Sequence, residues 1–213
     1  MQLNDSPTER STAATDLLLS LAALFGLVYL QSSQPVVSWR IQLWSWPLGL
    51  IAAAAALGAL HHGLVLPQAL RNLIWQSLTF LLGMGLAVFG AGLTLDLFGL
   101  EAGRRSLPLW LAAGAALFLA SRRFSGIFLV FIAFQGLVLT AALVGYSALA
   151  LSGTLKGAGW MAGGAFLSVL AAALQTLKRL RFKWVWEFDY NGVFHLVQTA
   201  GLVLLSWGIV GGG

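Results

Sequence analysis

The sequence contains no cysteine and very little charge, and both absences narrow the class of protein that it can encode. Without cysteine there can be no disulfide, no thiolate metal ligand and no cysteine nucleophile. Charged residues make up 9% of the 213 residues, whereas soluble domains carry about 25%. Hydrophobic residues account for 59% of the chain and the mean hydropathy is +0.85. The composition therefore predicts an integral membrane protein.

Acidic residues are scarcer than basic ones, with 7 Asp and Glu against 12 Lys and Arg, for a net charge of +5. The basic residues are gathered in a few loops between apolar runs, a pattern typical of membrane topology rather than of nucleic-acid binding. We therefore expect membrane lipid, and no nucleic acid, among the partners of this protein.

Seven apolar runs predict an all-α, polytopic seven-transmembrane helix bundle that forms a single domain over residues 16–213. The predicted spans cover residues 17–30, 41–62, 73–95, 107–120, 127–151, 158–177 and 192–210. The polar, Ser/Thr-rich residues 1–15 are expected to form a flexible N-terminal tail. The first run is interpreted as a helix rather than a signal peptide. Most of the charged residues before it are acidic, and no small-residue cleavage site follows it.

Two of these runs have features that affect packing and topology. The fourth run is short for a hydrocarbon core that needs about 20 residues, so this helix has to extend into its charged flanks. The sixth run begins with Gly159 and Gly163, whose spacing would let a neighbouring helix approach closely.

The distribution of basic residues predicts the orientation in the membrane. With seven spans, eight basic residues fall on the N-terminal side and four on the opposite side. These are Arg10, Arg71, Arg122, Arg123, Lys178, Arg179, Arg181 and Lys183 against Arg40, Arg104, Arg105 and Lys156. The excess favours a cytoplasmic N-terminus and an external C-terminus.

All three histidines are expected at one face of the membrane. His61 and His62 end the second span, and His195 comes one turn into the seventh. Because the ends of successive spans alternate between faces, this holds whichever way the protein is oriented. Asp96 ends the third span at the opposite face.

A polar stripe follows the seventh span. Asn191, His195 and Gln198 are spaced i, i+4 and i+7 and so share one helical face. Each would cost about 2 kcal/mol or more if it faced lipid without a partner. We therefore predict that all three turn away from lipid, toward spans two and three. Asn191 also stands where an N-cap is expected, and capping is favoured over metal ligation for this residue.

The histidines allow two interpretations. Neutral imidazole is the commonest metal ligand, and histidines from separate helices can converge on one ion, so His62 and His195 are candidate zinc ligands. The other interpretation is that they lie at the interface and bind nothing. His61 is a further candidate ligand, but it points about 100° away from its neighbour, so both can ligate one ion only if the helix end is distorted.

Other polar residues at the histidine face could support such a site. Asp189 or Glu187 would be the candidate catalytic base, and Gln198 or Gln76 could orient a water molecule. Asn191 completes this polar pocket.

Two short segments resemble the CREST superfamily, which includes the alkaline ceramidases and the progestin and adipoQ receptors. Residues 188–198, from Phe188 to Gln198, resemble the last-helix motif of uncharacterised bacterial members, and Leu60-His61-His62-Gly63 resembles their span-two motif. The resemblance covers the topology of nearly the whole chain through few specific residues. It implies a divergent bacterial member located in the inner membrane.

The resemblance also implies a zinc site of three histidines, with a serine and an aspartate nearby, linked to hydrolysis of lipid amides. His62 and His195 match two of the three ligand positions. The sequence departs from the pattern at the third ligand, which is Asn191, and at the serine position, which is Gly58. It also has no aspartate early in span three.

Three functions remain open at this point. The first is a zinc-dependent membrane hydrolase acting on a lipid amide or ester bond, either active or degenerate. The alternative is a non-enzymatic protein that binds a lipid or small ligand. A haem protein with His62 and His195 as axial ligands is the third. A retinal protein is disfavoured because span seven has no lysine.

Overall fold

The protein is described by a computed structural model over residues 2–33, 38–123, 127–183 and 185–212, with the side chains of residues 127–129 excepted. These residues form seven helices and four short strands. The helices are α1 (Pro7–Ser32), α2 (Trp39–Gly63), α3 (Gln68–Phe98), α4 (Leu100–Arg123), α5 (Ile127–Ser152), α6 (Ala158–Thr176) and α7 (Tyr190–Gly211). The strands are β1 (Gln2–Leu3), β2 (Leu64–Val65), β3 (Arg181–Lys183) and β4 (Glu187–Asp189).

The all-α prediction is confirmed. Within the described ranges, six helices are long and apolar enough to cross a membrane, namely α1, α2, α3, α5 from Val130, α6 and α7. The exception is α4, which carries charges at both ends. It nevertheless packs along α3: an added Cβ at Gly90 would lie 2.7 Å from the Trp110 ring, and one at Gly114 would lie 2.9 Å from the Gly83 carbonyl. The apolar stretch between the charged ends is therefore accommodated beside another helix.

The helix α1 lies between α2 and α7, and α7 lies between α1 and α6. The start of α1 adjoins the end of α2, because β1 pairs with β2. It also adjoins the start of α7, where Thr12 donates to Asp189. We call this end of the bundle the N-terminal face and the other end the opposite face.

The first fifteen residues differ from the predicted flexible tail. β1 is paired, and α1 already begins at Pro7, with Ser6 as its N-cap. Ser11 and Thr15 are buried. Their hydroxyls are satisfied, since Ser11 Oγ donates to the Glu187 carbonyl at 2.6 Å and Thr15 Oγ1 to the Thr12 carbonyl at 2.9 Å. Polar side chains that find such partners can be buried, so hydropathy alone places the start of this helix too late.

Close packing of α6 on α7 depends on glycine, but not on the predicted pair. An added Cβ at Gly159 would meet nothing within 4 Å, and one at Gly163 only a leucine side chain at 3.4 Å. By contrast, an added Cβ at Gly164 would lie 2.6 Å from the Gly201 carbonyl, and one at Gly208 would lie 2.7 Å from the Gly157 carbonyl. The close approach therefore depends on Gly164, one residue after the predicted Gly163. It also depends on three glycines that the prediction did not include, namely Gly157, Gly201 and Gly208.

A buried ion pair joins several helices at the opposite face, where Asp96 was expected. Arg40 of α2 donates to both carboxylate oxygens of Asp96 at the end of α3, at 2.6 and 3.1 Å. Its remaining nitrogen donates to the Ile209 carbonyl of α7 at 2.9 Å, and the Tyr146 hydroxyl of α5 donates to Asp96 at 3.2 Å. The Asp96 side chain is only 1% exposed. This network connects four helices through two charges.

Candidate functional site

The three histidines lie at the N-terminal face, as the sequence predicts. His61 and His62 form the last turn of α2, and His195 is in the second turn of α7. The helix between them is α1, which supplies a partner to each of the two predicted ligands: Asp16 to His195 and Glu9 to His62. The site is therefore built from α1, α2 and α7 rather than from spans two, three and seven.

His195 and Asp16 form the buried half of the site. The Nε2 atom of His195 lies 3.3 Å from Oδ1 of Asp16, and their side chains are 12% and 6% exposed. On the other side of the ring, Nδ1 of His195 lies 3.3 Å from Oγ1 of Thr15. Both contacts come from α1.

The hydrogen bonds of Thr15 favour one tautomer of this ring. With the Thr15 hydroxyl donating to the Thr12 carbonyl, its oxygen is left to accept from His195, which favours the neutral ring with its proton on Nδ1. Nε2 then carries a lone pair and no proton, and it faces Oδ1 of Asp16, which is also an acceptor. Two acceptors in contact repel each other unless a proton or a metal ion lies between them.

The second carboxylate oxygen of Asp16 also lacks a favourable partner. Oδ2 is buried and has no hydrogen-bond partner among the described residues. It faces Gly58 of α2, where an added Cβ would lie 2.7 Å from it. The carboxylate thus occupies the space that a side chain at residue 58 would need, so Asp16 in this position requires a glycine there.

His62 and Glu9 form the more exposed half. Nδ1 of His62 lies 2.8 Å from Oε2 of Glu9, and their side chains are 20% and 39% exposed. An N–H of Nδ1 that donates to a carboxylate leaves Nε2 as the free lone pair of the neutral ring. Ligating histidines almost always hold their second nitrogen in this way, which fixes the tautomer and orients the ring.

His61 contacts aromatic rings. Its ring centroid lies 5.2 Å from that of His62 and 5.7 Å from that of Trp75 on α3. Its Nδ1 atom is buried and has no hydrogen-bond partner in the part of the chain that is described. It therefore packs beside the site and keeps one unused nitrogen.

The start of α7 is capped by Asp189 and not, as predicted, by Asn191. Oδ1 of Asp189 accepts from the backbone N–H groups of Asn191 and Gly192, each at 3.0 Å, and from Thr12 Oγ1 at 3.1 Å. Asn191 is already helical. The sequence places Asp, an equally favoured capping residue, two positions earlier. Glu187 lies in β4, where its carbonyl accepts from Ser11.

The stripe on α7 turns toward protein at His195 and Gln198, but toward α1 and α6 rather than toward spans two and three. Gln198 Nε2 donates to Ser168 Oγ of α6 at 3.1 Å. Its Oε1 is buried without a partner among the described side and main chains. Gln76 lies elsewhere, in a cavity between α3, α4 and α5. Neither glutamine is placed beside the imidazole rings by a described contact.

The sequence interpretation missed Glu9 and Asp16, although a signal was present. Glu9, Thr12 and Asp16 are spaced i, i+3 and i+7 and share one helical face. The same alternation of faces that brings the histidines together places the start of α1 beside them. Among the described residues, no three His, Asp or Glu side chains form a group already placed around one ion. The donors stand instead as two pairs.

Comparison with known proteins gives a family but no function. No curated protein and no solved structure matches the chain. Residues 11–212 match a family of unknown function, DUF6962. That match begins at Ser11 in α1 and ends just after α7, so it covers all seven helices except the first four residues of α1, and it leaves Glu9 outside. The chain belongs to the DUF6962 family.

Proposed function

We propose that this protein is a membrane-embedded, zinc-dependent hydrolase that acts on an amide or ester bond of a lipid. The observation that carries the proposal is the contact of His195 Nε2 with Asp16 Oδ1 at 3.3 Å. Two ligands of a tetrahedral zinc at about 2.0–2.1 Å are separated by about 3.3 Å. A charge-assisted hydrogen bond between the same atoms would be about 2.7–2.9 Å. The contact matches a metal-ligand pair better than a direct hydrogen bond.

The chemistry of the donors fits the ion. His195 and Asp16 would supply two ligands, and the free Nε2 of His62 a third, with Glu9 orienting that ring. Asp16 would take the place that the resemblance to the CREST superfamily gives to a third histidine, which is Asn191 here. Zinc so bound would polarise a carbonyl and lower the pKa of a bound water to about 7.

The depth of the proposed site and the exposure of Glu9 indicate which bonds the site could act on. Asp16 and His195 are buried, whereas Glu9 is 39% exposed at the N-terminal face. An Oε atom of Glu9 could take a proton from a water molecule and transfer it to a leaving group, which assigns to Glu9 the role predicted for Asp189 or Glu187. His195 lies five residues, about 8 Å, from the start of α7. This depth suits the amide and ester bonds of lipids, which lie between headgroup and hydrocarbon.

Metal content tests the proposal. We expect about one zinc per chain in protein purified without added metal or chelator, and its loss in His62→Ala, His195→Ala and Asp16→Asn. Glu9→Gln should retain the ligands and bind zinc about 10–100-fold more weakly. Asp5→Asn is the matched control, because Asp5 is 84% exposed and should leave the zinc content unchanged.

Hydrolysis of N-acyl and O-acyl lipids in mixed micelles is measured on the same preparations. Activity should follow the zinc content in wild type, Asp5→Asn and the three ligand variants, whereas Glu9→Gln should lose activity even when saturated with zinc, because it lacks the base. Equal metal in wild type and all variants, or none in any, would contradict the proposal. In that case a proton lies between His195 and Asp16, and the alternative of a lipid-binding protein without chemistry is favoured.

The proposal includes seven membrane spans, with α4 as the fourth, a cytoplasmic N-terminus and an external C-terminus in a bacterial inner membrane. Its support is the antiparallel packing of α4 on α3 and the eight-to-four distribution of basic residues. A reporter fused after Gly213 is expected to be active only outside the cytoplasm, and one in the α3–α4 turn at Gly99 should match it. Opposite signals from the two fusions would remove α4 from the spans.

A further inference from the structure

A seam between α5 and the α3–α4 pair contains two cavities. The buried residues of α5, among those described, lie at Val138 and beyond, so the first half of this helix packs loosely. The cavity nearer the N-terminal face has a volume of about 310 Å³, and the one farther along the seam about 410 Å³. The two cavities differ in chemistry.

The first cavity combines polar donors with apolar walls. Arg122 and Gln76 line it, together with Leu117 and Phe118. The hydroxyl of Ser121 also lines it, but its proton is committed to the Phe118 carbonyl at 2.6 Å. The Arg122 guanidinium and the Gln76 amide provide hydrogen-bond donors at this cavity.

No carboxylate on the surrounding helices neutralises Arg122. The only acidic residues between positions 68 and 152 are Asp96 and Glu101. Both lie at the opposite face, where Asp96 binds Arg40 and Glu101 binds Arg105. In the part of the chain that the structure describes, Arg122 has no ion-pair partner. An arginine fork without an internal carboxylate suits an external phosphate.

The second cavity is apolar. It is lined by Leu93, Leu97, Phe134, Leu137 and Ala141. Its two polar side chains are satisfied within the protein, because Trp110 Nε1 donates to Thr94 Oγ1 at 3.1 Å and Thr94 Oγ1 donates to the Gly90 carbonyl at 2.8 Å. This cavity offers contact to hydrocarbon and little else.

The distance between the two cavities matches the length of a lipid from its headgroup to the end of its acyl chain. From Arg122 to Trp110 along α4 is twelve residues, or about 18 Å. The hydrocarbon layer of one leaflet is about 15 Å thick. A headgroup held at Arg122 would therefore place the end of an acyl chain beside Trp110.

We infer that this seam is a binding site for an anionic phospholipid, with its phosphate on Arg122 and an acyl chain in the cavity around Ala141. This site is separate from the His195–Asp16 site and does not depend on the proposed hydrolase activity. The lipid comes from the surrounding leaflet of the membrane.

The test counts lipids retained by the whole chain. Protein is released from nanodiscs of equal parts phosphatidylglycerol and phosphatidylcholine, and bound lipid is measured by native mass spectrometry. We expect one phosphatidylglycerol to be retained at least tenfold over phosphatidylcholine, and Arg122→Ala to abolish this preference. Arg122→Lys should keep part of it. Arg123→Ala, which removes the same charge one residue outside the cavity lining, should keep it fully.

The acyl chain is tested separately. Ala141→Phe fills the apolar cavity and should lower retention of both lipids, whereas Val144→Phe, at an exposed position outside the cavity lining, should not. The headgroup alone, added as glycerophosphoglycerol, should not displace the bound lipid. Thermal unfolding confirms that each variant is folded. Equal effects of Arg122→Ala and Arg123→Ala, displacement by the free headgroup, or no effect of Ala141→Phe would overturn the inference.

Discussion

Replacing Arg40 by alanine is expected to lower the free energy of unfolding by about 3–5 kcal/mol, because it leaves the carboxylate of Asp96 buried and unpaired. Among the described residues, Asp96 would retain only the Tyr146 hydroxyl as a partner, and the Ile209 carbonyl would lose the hydrogen bond from Arg40. Equilibrium unfolding in mixed micelles measures the loss.

Two comparisons isolate the ion pair. Arg105→Ala removes an arginine from the exposed pair with Glu101 on α4, whose side chains are 80% and 68% exposed, and should cost at most about 0.5 kcal/mol. The double variant Arg40→Met, Asp96→Leu removes both charges and should recover a large part of the loss, since apolar replacement of a whole buried pair is often neutral. Similar losses for Arg40→Ala and Arg105→Ala would contradict this account.

Adding one methyl group at Gly208 is expected to destabilise the bundle by about 2–3 kcal/mol. The Cβ of Gly208→Ala would lie 2.7 Å from the Gly157 carbonyl and 2.8 Å from the Met161 backbone nitrogen. Both are main-chain atoms, so α6 and α7 would have to separate along their length.

Gly159→Ala is the matched control, because its Cβ would meet nothing within 4 Å. Alanine is a better helix former than glycine by about 1 kcal/mol, so this variant should be neutral or slightly more stable. Unfolding midpoints of the two variants and the wild type give opposite signs if the packing is as described. A destabilised Gly159→Ala protein would place the α6–α7 contact at the predicted glycine pair instead.

The order of the helices and the ends at which polar groups meet could be predicted from the sequence. Alternation of faces follows from counting apolar runs, which correctly put the histidines together and Asp96 away from them. The neighbours of α7 could not be predicted in this way. Counting places helix ends on a face but does not order them around it, and so α1 and α6 were not anticipated as the partners of His195 and Gln198.

The carboxylates of the site were missed for a different reason. Residues before Leu17 are polar, and hydropathy assigns such residues to water. In the structure Ser11, Thr12, Thr15 and Asp16 are buried, because α7 and β4 supply matching groups more than 170 positions away, as between Thr12 and Asp189. Hydrogen-bond complementarity over such a distance is a property of the folded chain, and no local window of the sequence contains it.

The placement of α1 between α2 and α7 has a consequence for biosynthesis. Asp16 of α1 is synthesised well before His195 of α7, with five helices between them in the sequence, so their contact can form only late. Until α7 has been inserted, the polar side chains of α1 lack the partners that they contact in the folded protein, such as Asp189 for Thr12. We therefore expect water, headgroups or an insertion factor to shelter Thr12 and Asp16 of the nascent chain until α7 is inserted, and α1 to complete its packing only then.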